Sequence, residues 1–191
     1  RAAAYYHLGL LNLVEPELRS AAEVNPVTQV ESERSRGVTA LFDGRFRDAL
    51  ELFENVQRLS GGTTFNWLRG LGYYYTGDAK KAEETLSLRG TTPGDRRSQA
   101  VLASLVAARH ATPEAKALVK TILDGGFMDH HIPYSLGATY AQLADFAEAR
   151  RWLTEAARTG LPCYPWYARD PLLDPLRGDP EFQQFLLGLK N

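Results

Sequence analysis

Residues 130–153 read HHIPYSLGATYAQLADFAEARRWL. A small residue, Gly137, is followed by Tyr140, Ala144, Phe146, Ala149 and Leu153. The same pattern occurs three times upstream without gaps. From Val30 it runs Gly37, Ala40, Gly44, Phe46, Ala49, Phe53; from Thr63, Gly70, Tyr73, Gly77, Ala79, Ala82, Leu86. From Arg96 it runs Ala103, Val106, His110, Thr112, Ala115, Val119. The four starts lie 33, 33 and 34 residues apart, which is the mark of a repeat array.

The spacing predicts a helix–turn–helix in each unit. Gly37, Gly70, Ala103 and Gly137 fall midway along a first helix, where glycine costs roughly 1 kcal/mol relative to alanine. That cost is tolerable where a second helix must come close, and Ala49, Ala82, Ala115 and Ala149, twelve positions on, are the expected partners. The turns carry Asp43-Gly44, Thr76-Gly77-Asp78, Ala111-Thr112-Pro113 and Ala144-Asp145, which hold helix stop and start signals. Apolar residues at i, i+3, i+4 and i+7, such as Ala49, Leu52, Phe53 and Val56, give the second helix its buried stripe.

These residues resemble the tetratricopeptide repeat family, whose pattern places a small residue at position 8, Tyr at 11, Gly at 15, an aromatic at 17, Ala at 20 and Phe at 24. The match is good in the units from Val30, Thr63 and His130. The unit from Arg96 departs from it with Val106 and His110. A shortened first unit is drawn from Gly9, Asn12, Pro16 and Ala21, with Pro26 about six residues early. The resemblance implies an all-α fold, an α-solenoid of antiparallel helix hairpins over 1–163 (1–29 atypical, then 30–62, 63–95, 96–129 and 130–163) with a C-terminal cap over 164–191. In the cap, Pro165, Pro171, Pro175 and Pro180 break the chain, and Asp179-Pro180-Glu181 opens a final helix with Phe182, Phe185, Leu186 and Leu189. The string from Trp166 to Phe182 is similar to the closing segment of tetratricopeptide regions in large bacterial signalling proteins, among them receptor-type serine/threonine kinases and transcriptional or cyclase regulators. The cap is expected to plug the open end of the last hairpin.

Composition narrows the function classes. A formal net charge of −1 gives no field for nucleic acid or an anionic membrane to recognise. No stretch approaches the ~18 apolar residues of a membrane span, and no signal segment opens the chain. The start at Arg1 suggests excision from a longer protein, so the compartment stays open between cytoplasm and periplasm. The single cysteine, Cys163, excludes an internal disulfide and cysteine-based zinc clusters.

No catalytic, cofactor or metal site is expected. His130 and His131 are neighbours whose side chains diverge by ~100° on a helix, and His7 and His110 are remote in sequence. Cys163 reads as a small buried residue where the cap begins. Gly61-Gly62 and Gly125-Gly126 read as turns between hairpins, without the Lys-Ser/Thr of a phosphate loop. The charged run Glu31 to Arg36 reads as a solvated helix face.

In the family, the first helices line a concave groove. Carried over, the groove residues are Arg34, Phe42, Trp67, Tyr74, Tyr75, Arg97, His131 and Tyr134. Trp67, Tyr74 and Tyr75 form an aromatic strip flanked by Arg34 and Arg97, and these residue types dominate binding hot spots. Tyr73 is expected in the core. Family members that clamp an acidic C-terminal tail have Lys and Asn where this chain has Arg34 and Val38, which argues against that ligand. The expected partner is therefore a protein or peptide segment held in the groove, within a sensory or regulatory region. The alternatives are a self-associating scaffold, giving a homo-oligomer, and a small-molecule receptor at Trp67, Tyr74 and Arg97.

Overall fold

The computed structural model describes residues 1–24, 29–61, 65–87, 93–126 and 128–190; Pro26 and Gly62 lie outside them. Among the described residues there is no strand. The helices are α1 (Ala2–His7), α2 (Val14–Val24), α3 (Gln29–Phe42), α4 (Phe46–Ser60), α5 (Asn66–Tyr75), α6 (Ala79–Ser87), α7 (Pro93–Ala108), α8 (Thr112–Asp124), α9 (His131–Gln142), α10 (Phe146–Arg158), α11 (Tyr164–Arg169) and α12 (Pro180–Lys190). Short 3₁₀ stretches cover Leu11–Leu13 and Pro171–Leu176. No helix among them is long and apolar enough to cross a membrane.

The pairs α3/α4, α5/α6, α7/α8 and α9/α10 pack side by side. A Cβ on Gly37 would lie 2.4 Å from the Phe53 ring, one on Gly70 2.5 Å from Leu86, and one on Gly137 2.6 Å from Leu153. Residues equidistant from the turn therefore meet, so each of these three pairs runs antiparallel. This corrects the expected partners: the small residue accommodates the bulky side chain sixteen positions on, more than the alanine at twelve. Phe53, Leu86 and Leu153 are buried by that contact.

All four turns close identically. Gly44, Gly77, His110 and Ala144 take positive φ, at 80°, 94°, 64° and 59°. In each, the following N–H reaches the carbonyl five residues back: Arg45 to Ala40, Asp78 to Tyr73, Ala111 to Val106 and Asp145 to Tyr140. This is the Schellman closure of a helix end. His110 and Ala144 adopt the left-handed conformation without glycine's freedom, at a cost of roughly 1–2 kcal/mol each. Side chains cap two of the following helices, with Asp78 accepting from the Lys81 N–H and Asp145 from the Glu148 N–H.

The pairs also pack on one another, α5 against α4 and α7, and α7 against α6 and α9. Helices α1 and α2 cover α3. The charged run on α3 is thus an interhelical seam, which corrects the solvated reading: Arg36 pairs with Glu15 of α2 at 2.9 Å, and Ser32 and Ser35 are buried. The C-terminal segment packs on both helices of the last hairpin, with α12 against α10. Its 3₁₀ stretch packs along α9, and α11 reaches back to α3. Asp179 caps α12 through the Phe182 N–H at 2.8 Å, burying Phe182.

Candidate functional site

The inner face of the hairpins gathers the residues expected to line a groove, and α11 covers it. Trp166 projects between hairpins: its ring stacks on Phe42 at 5.2 Å and on Tyr134 at 5.7 Å, and meets Tyr75 edge-on at 5.9 Å. One helical turn later, Asp170 is fully buried and accepts hydrogen bonds from the Tyr75 and Tyr134 hydroxyls at 2.5 and 2.6 Å. Its carboxylate also accepts from the Leu172 N–H at 2.9 Å. Burial pushes Asp170 up to about 6, against the pull of the Tyr134 and Tyr75 hydroxyl bonds. Further ties fix the segment: Gln142 donates to the Leu172 carbonyl, Arg177 to those of Tyr167 and Asp170, and Arg169 pairs with Asp43.

This occupancy changes the reading of the predicted residues. Phe42, Trp67 and Tyr134 are buried, and Tyr75, stacked on Phe46 at 4.5 Å, gives its hydroxyl to Asp170. They meet on one face as expected, but the chain's own segment fills that face. Tyr74 stays half-buried beside Tyr75. Tyr73 is buried and donates to Glu54. The arginines are engaged too. Arg34 pairs with Glu31 and donates to the Tyr6 hydroxyl, and Arg97 pairs with Asp129 while lying over the Trp67 ring. The room left inside, beside Trp67, Ser104, His131 and Asp170, is about 20 Å³. That is space for about one water molecule. Cys163 is buried and its thiol is pushed up to about 12 by desolvation, which leaves it no thiolate for nucleophilic chemistry.

A second feature sits at the rim. His7, at the end of α1, meets His130 and His131 at the start of α9, with Nε2 of His7 3.4 Å from Nε2 of His130. His130 is the N-cap residue rather than part of the helix, and its ring lies 4.3 Å from that of His131 instead of diverging. His131 rests on Trp67 at 4.6 Å. Desolvation holds all three imidazoles below their ordinary value, His7 at about 4. No local sequence signal joins His7 to a pair 123 residues away. Trp166 and Asp170 did carry one, an aromatic and an acid one helical turn apart.

A scan against protein-family models, a search of curated proteins and a search of solved structures each returned no match for this chain.

Proposed function

We propose that this chain is a tetratricopeptide-type helical-repeat region that works through protein–protein contact and has no chemistry of its own. The observation that carries the reading is the fourfold return of one turn, with positive φ at Gly44, Gly77, His110 and Ala144, at the register of the sequence repeat. The resemblance of the segment from Trp166 to Phe182 extends the proposal to a regulatory role within a bacterial signalling protein.

The contact surface in this proposal is not the inner face, because Trp166 and Asp170 already fill it. It is the N-terminal end, where the shortened first unit leaves Leu8, Leu10 and Leu13 exposed at 53%, 42% and 39%. Beside them Leu11, Val14 and Leu52 line a cleft of about 360 Å³, rimmed by Glu15, Arg36 and Arg45. Exposed leucines close in sequence to an apolar cleft with a charged rim suit a protein contact site. This observation favours self-association through that end. Sedimentation velocity over a hundredfold concentration range tests it. The unaltered chain should associate, and a Leu8→Glu, Leu10→Glu, Leu13→Glu variant should remain a monomer with unchanged helicity. A chain that sediments as a monomer throughout removes the surface from the proposal.

A further inference from the structure

The rim cluster of three imidazoles has the geometry of an unassigned metal site. We propose that His7, His130 and His131 bind one divalent transition ion of the zinc class, leaving a fourth position open to water. The site would staple α1 to the start of α9.

The spacing is the first support. Zinc holds imidazole nitrogens at about 2.0–2.1 Å in tetrahedral geometry, which puts two ligand nitrogens about 3.3–3.4 Å apart. His7 Nε2 and His130 Nε2 are 3.4 Å apart. One ligand atom from each of the three residues lies within 4.8 Å of the others, so rotation of the His131 side chain closes the remaining distance.

The second support is how the rings are held. A Cβ at Gly160 would lie 3.1 Å from Nδ1 of His130, so that nitrogen faces the backbone and Nε2 is left pointing at His7. His7 stands edge-on to Tyr6 at 4.7 Å, and His131 leans on Trp67. The His7 and His130 rings, held in place by packing, lose little freedom when they bind an ion, and only His131 has to turn.

The charges around the cluster are balanced. The nearby cations are Arg34 and Arg97, and each is ion-paired, Arg34 with Glu31 and Arg97 with Asp129. Asp129 also accepts the His131 N–H at 3.0 Å, which keeps a carboxylate at the cluster's edge. Imidazole donors suit zinc, copper and nickel over magnesium or calcium.

The test is titration of the intact chain with Zn²⁺, and separately with Co²⁺, in a buffer that does not chelate. One equivalent should bind, with a visible d–d band for Co²⁺ and a thermal midpoint that rises with Zn²⁺. Loss of outer partners alone costs 10–100-fold in metal affinity, so His7→Ala should weaken binding by at least about tenfold. His110→Ala, remote from the cluster, should bind as the unaltered chain does. If His7→Ala fails to fold, the Co²⁺ spectrum of the unaltered chain decides alone. Absence of a saturable one-equivalent band overturns the proposal, as does a folded His7→Ala chain that binds undiminished.

Discussion

Replacing Trp166 with alanine tests whether the C-terminal segment is part of the core or only rests on it. The indole is 2% exposed and bounded by Phe42, Tyr134 and Tyr75. Truncating a buried Trp costs about 3–5 kcal/mol, as the lost transfer energy adds to that of the cavity left behind. The cost depends on how far the neighbours can collapse. Here Tyr75 and Tyr134 are tethered through their hydroxyls to Asp170, and Phe42 lies in the last turn of α3, against the start of the turn to α4. None can move into the space without breaking another contact, so the upper half of the range is expected. For a chain of this length each kcal/mol lowers the melting midpoint by about 2–4 °C, giving a fall of about 8–20 °C. Thermal and urea melts followed by far-UV circular dichroism read this directly. A fall below about 2 °C would refute the reasoning, since the segment would then lie outside the cooperative core. A normal midpoint with a reduced urea slope would refute it differently, by showing that less surface is exposed on unfolding.

Two further outcomes follow from the same geometry. Tyr134→Phe removes a hydroxyl donor from a buried carboxylate, a loss of about 1.5–3 kcal/mol when the acceptor is charged. Asp170 has a folded value near 6, above its ordinary 3.8, so its contribution to stability is complete below about pH 4 and is lost as the pH rises through 6. The cost of Tyr134→Phe in urea melts should therefore be larger at pH 8 than at pH 4, and a pH-independent cost would contradict the buried-carboxylate account. Ala144→Gly relieves a left-handed residue with φ of 59°. It should stabilise the chain by about 0.5–1 kcal/mol after glycine's extra unfolded-state freedom is deducted; a destabilised variant would mean that the Ala144 methyl packs favourably enough to outweigh the strain.

The sequence by itself determined the helical hairpins, because their causes are local. The spacing of Ala49, Leu52, Phe53 and Val56 sets a helical face, and Asp78, Asp145 and Asp179 cap helices a few residues away. Glycine at 44 and 77 announces a left-handed turn within a few bonds of where it occurs. At His110 and Ala144 that announcement is missing, yet the turn closes in the same way. There the packing of the two helices overrides the preference of a single residue.

Only the tertiary structure decided what the inner face holds and which groups meet at its rim. Phe42, Tyr75, Tyr134 and Trp166 come from four helices, and Trp166 lies 124 positions from Phe42. Their meeting depends on how the hairpins pack on one another, which no window of sequence encodes. The aromatic strip was legible as a surface suited to a protein segment, but not that this chain carries the segment itself. The histidines make the same point in reverse. By spacing alone, the side chains of His130 and His131 diverge. They acquire a third partner, His7, because the first helix packs on α3, with Tyr6 against Phe42 and Arg34, and Gly9 approaches Pro165, rather than through any pattern around His7.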